Sequence, residues 1–339
     1  MKPLRIVIVG SGFRSLFFVR IIRALPERFT LCAMLCRTQE KADRMAAENG
    51  IPTSISEEEC LAMKPDLAIV ATSREGKAAV TAHWAADLGI PVLTETPLAE
   101  TSEELAMLEG LIRNGAKIQV AEQYFCQARH SARIKLIDEG LIGPVNSLYF
   151  SAAHDYHGAS LMRRYLQTGD TPYTLVGSQT TSPIEQTDSR QGPVTDGRLQ
   201  DEERKMFVLR FADGRQAVYD FCGMQYRTFL RDHTVIARGK YGQVKDDVIR
   251  WVGLDHVPHQ AALDIAWNEN GGVDRITFDG RTLYEDPFPG SGLPEDETAI
   301  AVLMDGMRAY IAGGKEVYPN WEAAADSQFL IDGNRLLGV

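Results

Sequence analysis

Two short stretches gather the residue types that acid–base and phosphate chemistry require. The first is His154-Asp155-Tyr156-His157, followed by Arg163 and Arg164. A histidine with an ordinary pKa near about 6.5 exchanges a proton at neutral pH, and a tyrosine can serve as acid or base in carbonyl reduction. If the preceding strand runs on to Asp155, His154 and Tyr156 project to one face by the two-residue period. Arginines close behind can hold a carboxylate or phosphate on a substrate. His157, Tyr156 and His154 are therefore the candidate catalytic residues, and Arg163 and Arg164 candidate substrate ligands. Each also has an ordinary role open to it, as a histidine satisfied by backbone or an arginine in solvent. Tyr124, directly after the last parallel strand, is a further substrate candidate, because ligands bind at carboxyl ends of parallel strands.

The second stretch is Leu4 to Phe18. Ile6-Val7-Ile8-Val9 reads as a strand buried on both faces. It breaks at Gly10-Ser11-Gly12, and a helical pattern follows in Leu16, Val19, Ile22 and Ala24, stopped by Pro26. Strand, glycine turn and helix in that order open a dinucleotide-binding unit. Gly10 permits the tight turn, and Gly12 lets the backbone approach a pyrophosphate facing the helix N-terminus. Ser15 stands at the third glycine of the fingerprint. Phe13 and Arg14 on this loop, Thr72 and Ser73 after the apolar run 66–71, and Glu95 and Thr96 after the run 91–94 complete the expected cofactor contacts. The second strand ends Cys36-Arg37-Thr38 without the acid that would accept from an NAD ribose. Arg37 can instead meet a 2′-phosphate, so NADP is the expected cofactor, with NAD as the alternative.

The elements that must position these residues follow from period and punctuation. Strands at 29–36, 66–71, 91–94 and 117–121 alternate with helices at 39–48, 75–88 and 102–113. Such alternation implies parallel βαβ units, hence a dinucleotide-binding Rossmann domain over residues 1–122. A helix at 128–139 leads into residues 123–339, a substrate-binding and oligomerisation domain. There Phe207, Leu209 and Phe211 alternate with polar or smaller residues. Asp213-Gly214 and Asp279-Gly280 mark hairpin turns, so an antiparallel sheet is expected, with closing helices at 298–312 and 321–337. The fold class is α/β: a Rossmann domain followed by an α+β domain with an open, predominantly antiparallel sheet. The polar stretch 182–203 reads as a mobile excursion.

At 339 residues the chain is long enough for about two domains. A formal charge of −10 without a basic cluster argues against nucleic acid, and no apolar run reaches the roughly 18 residues of a membrane span. The start, Met-Lys-Pro-Leu, enters a strand at once and leaves no room for a signal peptide. The five cysteines lack metal-type or redox-type spacing, so no metal is expected and a reducing cytoplasm fits.

The opening turn, ATSREGKAAVTAHWAADLGIPVLTETPLAE at 71–100, IDEGLIGPV at 137–145 and YPNWEAAADS at 318–327 together resemble the Gfo/Idh/MocA oxidoreductase family. The resemblance covers essentially the whole chain. It implies a nicotinamide cofactor between a Rossmann domain and an open-sheet domain, and chemistry at a ring carbon of a sugar or cyclitol. It also implies sheet-to-sheet pairing into a homodimer or dimer of dimers. Two departures stand out. The family's Glu-Lys-Pro, whose lysine assists proton transfer, is here Glu95-Thr96-Pro97. Its histidine–aspartate helix pattern is nearest to His157 with Ser160 in place of the acid. An NAD(P)-dependent oxidoreductase acting on a small hydroxylated molecule is the leading expectation. A redox-neutral sugar-modifying or cleaving enzyme with retained cofactor, or a non-catalytic cofactor-binding regulator, are the alternatives.

Overall fold

The computed structural model describes residues 2–189 and 191–338. The chain forms two compact units. The first comprises residues 1–128, 266–274 and 285–327; the second comprises 129–265, 275–284 and 328–339.

The first unit is built on a six-stranded parallel sheet of β1 (Leu4–Val9), β2 (Phe29–Leu35), β3 (Thr53–Ser54), β4 (Leu67–Val70), β5 (Val92–Thr94) and β6 (Ile118–Val120). Its order is β3-β2-β1-β4-β5-β6, the doubly wound arrangement in which the chain reverses direction beside β1. Ile6, Val7, Ile8 and all of β4 are fully buried, as strands covered on both faces must be. The connecting helices are α1 (Ser15–Ala24), α2 (Gln39–Asn49), α3 (Glu57–Ala62), α4 (Lys77–Ala82) and α5 (Ser102–Arg113). Thr38 caps α2 by accepting from the Lys41 amide at 3.3 Å, and left-handed Gly50 ends it. The single helix expected over 75–88 is instead α4 followed by a π-helical turn at His83–Asp87, where Leu88 N–H reaches back to the His83 carbonyl.

The second unit begins with α6 (Ala128–Asp138), β7 (Val145–Ser151) and α7 (Asp155–Leu166). It continues through β8 (Tyr173–Glu185), β9 (Asp188–Ser189), β10 (Gly192–Pro193), β11 (Leu199–Phe211) and β12 (Gln216–Cys222). Then follow β13 (Thr234–Gly239), β14 (Gly242–Lys245), β15 (Val248–Val252) and β16 (Pro258–Ala262). Eight of these strands form one sheet, β16-β15-β14-β13-β7-β12-β11-β8, antiparallel except between β7 and β12. Phe207 and Leu209 of β11 face the core as their alternation requires, and Phe207 packs on Tyr219 and Phe329. Helix α7 lies against β7.

Further along are β17 (Asp264–Trp267), β18 (Val273–Phe278), β19 (Arg281–Glu285), α8 (Glu295–Ile311) and α9 (Asn320–Leu337). Asp279 and Gly280 between β18 and β19 both have positive φ, 49° and 72°, as a two-residue hairpin loop demands. Helix α8 belongs to the first unit, where Ile300, Leu303, Met304 and Met307 share a core with Phe18, Ile21 and Ile22 of α1. The apolar pattern of α8 foretells a buried face but not the element it covers. A single boundary at residue 122 therefore does not capture this return of the chain.

The stretch 182–203 requires correction. Rather than a mobile excursion, it carries the ends of β8 and β11, paired from Tyr173 with Phe211 to Glu185 with Leu199. The β9–β10 hairpin forms its tip, and Arg190 lies outside the described residues. Most side chains here are exposed, so no apolar alternation announces the strands, while the backbone groups are satisfied by the ladder.

Candidate functional site

A cavity of about 620 Å³ opens over the carboxyl ends of β1, β2 and β4 in the first unit. Its wall includes Gly10, Ser11, Gly12, Phe13, Arg14, Arg37, Thr38, Thr72 and Ser73. Eight of the ten residues expected at the cofactor therefore meet around one space. Gly10 has φ 110°, and a Cβ there would lie 2.6 Å from the Ala71 carbonyl oxygen, so only glycine fits. At Gly12 an added Cβ would meet nothing within 4 Å; the space it would fill belongs to the cavity. Thr72 presents a buried Oγ1 with no hydrogen-bond partner. A buried hydroxyl left unsatisfied costs about 1–3 kcal/mol, and an acceptor or donor on a bound dinucleotide would satisfy it. Lys41 and Arg44 line the same wall with Arg37. Glu40 lines it as well, from the first turn of α2, where the helix dipole favours a carboxylate.

Glu95 and Thr96 are not part of that wall. The Glu95 carboxylate accepts from Arg14 Nε at 2.7 Å, and Arg14 Nη1 donates to Asp296 at 2.8 Å. Asp296 also accepts from Gln123 Nε2 at 2.9 Å. Glu95 thus reaches the cavity through Arg14 and fixes that guanidinium. Behind the same segment lies Lys77, 3% exposed, whose ammonium donates to the carbonyls of Glu95 (2.7 Å) and Pro97 (2.5 Å). Burial drives its pKa down from 10.5 to about 8, against the opposing pull of Glu95 and Glu100. Where the resemblance leads one to expect a lysine at position 96, this chain has a lysine clamping the backbone on both sides of Thr96.

The histidine cluster forms in the second unit, though not by the strand extension expected. Strand β7 ends at Ser151, and α7 starts at Asp155, which has φ 34°. His154 Nε2 lies 3.1 Å from the Tyr156 hydroxyl and Nδ1 lies 3.2 Å from the Tyr226 hydroxyl. The His157 ring stands 4.7 Å from that of His154 and 4.5 Å from that of Tyr156. All three candidate catalytic side chains therefore touch, with Tyr156 and His157 buried. Asp155 is held by Lys205 Nζ at 3.0 Å. Arg163 and Arg164 sit in the last turn of α7, about 9 Å or more along its axis from His157. Tyr124 begins a short 3₁₀ turn, its amide donating to Glu122 Oε1 at 3.1 Å. His130 is a buried structural residue paired with Tyr165, and burial pushes its pKa down to about 3. Among the described residues no group of three or more His, Cys, Asp or Glu could hold a metal, and no helix is long and apolar enough to cross a membrane.

Sequence reasoning missed Lys41, Arg44, Lys77, Lys205, Tyr226 and Asp296. Lys41 and Arg44 were accessible, because i, i+3 spacing on the helix after Arg37 places them on one face. Tyr226 lies 72 residues from His154 and left no local signal.

Residues 4–122 match the model of an oxidoreductase family with an NAD-binding Rossmann fold, the Gfo/Idh/MocA family. Over this stretch, the main segment of the first unit, the chain is similar to the NAD-binding Rossmann domain of that family's oxidoreductases. The strand order and glycine turn described above are those of a Rossmann fold, in agreement with that match. No curated protein matches the sequence. Among solved structures, an oxidoreductase from Agrobacterium radiobacter in complex with NAD+, L-tartaric acid and magnesium is similar over 99% of this chain and 96% of its own. Its identity is 14% and its TM-score 0.69. Biliverdin reductase from Synechocystis sp. PCC 6803, in complex with biliverdin and NADP+, covers 99% and 100% at 15% identity and TM-score 0.66. A putative myo-inositol dehydrogenase from Sinorhizobium meliloti 1021 covers 99% and 97% at 14% identity and TM-score 0.64. At these identities the likeness shows the fold alone and leaves chemistry to the residues themselves.

Proposed function

We propose that the protein is an NADP(H)-preferring dehydrogenase or reductase acting on a sugar, cyclitol or related hydroxylated small molecule. The observation that carries this reading is the cavity at Gly10–Gly12, whose partnerless Thr72 hydroxyl and open space at Gly12 suit a dinucleotide. Bound there, the cofactor would supply or accept a hydride. Gly10, Gly12, Phe13 and Arg14 would hold its pyrophosphate, and Thr72 and Ser73 its ribose. Arg37, Lys41 and Arg44, with Thr38, would receive a 2′-phosphate. A charge-assisted hydrogen bond of that kind contributes about 1.5–3 kcal/mol.

The proton belongs to the chain. Thr96 can donate a hydrogen bond but cannot titrate near neutrality, so His157, Tyr156 and His154 move the proton at the substrate oxygen. Tyr124, Arg163 and Arg164 bind substrate, and Glu95 fixes Arg14. The substrate class follows from the sequence resemblance and agrees with the polyol and hydroxy-acid names among the similar structures. The exposed face of the eight-stranded sheet carries Val176, Met206, Val248 and Val252. Pairing of two such faces gives a homodimer or dimer of dimers. Five free cysteines suit a reducing cytoplasm.

The test is turnover of a panel of sugars and cyclitols, followed by nicotinamide absorbance with NADP(H) and NAD(H). Substrate-dependent absorbance change, faster with NADP(H), is the expected result. Product formation without any net absorbance change contradicts it.

A further inference from the structure

This inference rests on the reading that the Gly10–Gly12 cavity holds a nicotinamide dinucleotide; it adds a residue outside the cavity wall that sets how tightly the cofactor binds. Lys77 opens α4, where the positive end of the helix dipole opposes a cation, and its side chain is buried. Two effects thus work against an ammonium here, and the groups it holds must offset them. The Glu95 amide donates to the Val70 carbonyl at 2.9 Å, at the end of the β4–β5 ladder. Past that point the Lys77 ammonium takes the Glu95 and Pro97 carbonyls, at 2.7 and 2.5 Å. One helical turn on from Lys77, Thr81 Oγ1 meets Thr94 Oγ1 at 3.0 Å. Helix α4 therefore stitches down the last residue of β5 and the segment Glu95–Pro97 that follows it.

Glu95 carries the effect of this stitch to the cavity. Its main-chain carbonyl is on Lys77, while its carboxylate accepts from Arg14 Nε at 2.7 Å. Asp296 accepts from Arg14 Nη1 at 2.8 Å, and the guanidinium lies 4.6 Å from the centre of the Phe17 ring. With Nε and Nη1 engaged, Nη2 is left for a phosphate in the cavity that Arg14 lines. A ligand-facing guanidinium is only as well placed as the groups behind it. We propose that Lys77 is a positioning residue for the cofactor. Its ammonium, by holding the carbonyls on either side of Thr96, keeps the Glu95 carboxylate on Arg14, and loss of its proton loosens Arg14 and weakens binding.

Charge and burial set the direction in pH. Glu95, Glu100 and Glu104 favour the ammonium, while Arg74, itself paired with Glu100 at 3.2 Å, opposes it. Burial outweighs the carboxylates, and the proton leaves near pH 8. Below that pH the clamp is charge-assisted; above it a neutral amine donates with about half the strength. Linkage between two binding events is reciprocal. A cofactor that binds the protonated form more tightly raises the proton affinity of Lys77, so binding above pH 8 takes up protons.

Calorimetric titration of the full chain with NADPH at pH 7 is the first arm of the test. Lys77→Met should weaken binding about tenfold when Arg14 is present, and by less than about twofold beside Arg14→Ala, because the clamp acts through Arg14. Glu95→Gln, which keeps the side-chain volume, should weaken binding to a similar extent. Equal weakening by Lys77→Met in both backgrounds, or no weakening at all, overturns the proposal. The second arm uses the unaltered protein at about pH 8.5, titrated with NADPH in two buffers of different ionisation enthalpy. Net proton uptake is expected, and Lys77→Met should remove it. Uptake that is absent, or that persists in Lys77→Met, overturns the coupling. An unaltered protein that binds neither NADPH nor NADH overturns the reading of the cavity itself, whereas NADPH binding indifferent to Lys77 leaves that reading standing and removes only the positioning role.

Discussion

Replacing Lys77 by Met removes a buried ammonium while keeping most of its length. In the folded protein Lys77 gives up its proton near pH 8, whereas the unfolded chain holds it to 10.5. Between those values the unfolded state binds more protons, so stability rises with pH across that window. Below pH 8 both states are protonated and the contribution is constant. A shift of this size corresponds to about 3 kcal/mol. At pH 7 the variant sheds that burial penalty but leaves the Glu95 and Pro97 carbonyls without their donor, at about 1–3 kcal/mol each. The net change at pH 7 should therefore lie between about 1 kcal/mol of gain and about 3 kcal/mol of loss. The wild-type advantage over Lys77→Met should then grow by about 3 kcal/mol as pH rises from 8 to 10.5. Urea unfolding of both proteins at stepped pH gives the difference directly, and groups common to both cancel. A difference that stays flat, or falls with rising pH, would refute the reasoning. It would mean that Glu95, Glu100 and the two carbonyls stabilise the ammonium more than burial disfavours it.

Gly10→Ala forces a Cβ to 2.6 Å from the Ala71 oxygen at a φ of 110°; it should cost several kcal/mol in denaturant unfolding and abolish cofactor binding. Thr72→Val should leave the stability of the cofactor-free protein unchanged or slightly higher, because its hydroxyl has no partner to lose. The same variant should bind cofactor about 5–10-fold more weakly by calorimetry, and equal loss of stability would count against the site. Arg37→Ala and Arg44→Ala should each narrow the NADPH-over-NADH preference by about tenfold, measured as a ratio of dissociation constants. Light scattering at micromolar protein should give a dimer or tetramer mass, and a monomer mass would refute pairing through the sheet face.

Much of the first unit was legible because its signals are local. An apolar run followed by Gly10-Ser11-Gly12 needs no distant partner to be read, and the strand bounds found lie within a residue or two of those expected. The Asp213-Gly214 and Asp279-Gly280 turns were readable for the same reason: only a few residue types tolerate positive φ. The ribbon's outer part at 182–203 was not, because exposed polar strands carry no hydrophobic period. The candidate catalytic residues were identifiable as types, yet their meeting depends on a left-handed Asp155, which Lys205 and Tyr219 hold from β11 and β12. Lys77 shows the same limit: a lysine in a helical pattern reads as solvated, and only the tertiary fold places its ammonium under the segment that carries Thr96.

The central claim is that the Gly10–Gly12 cavity holds a nicotinamide dinucleotide, with its basic rim selecting the 2′-phosphate. Calorimetric titration of the purified chain with NADPH and with NADH tests it most directly. The account predicts saturable binding of one equivalent of each, tighter for NADPH by roughly tenfold or more, with Arg37→Ala narrowing the gap. Tighter binding of NADH, or binding of neither, would contradict it.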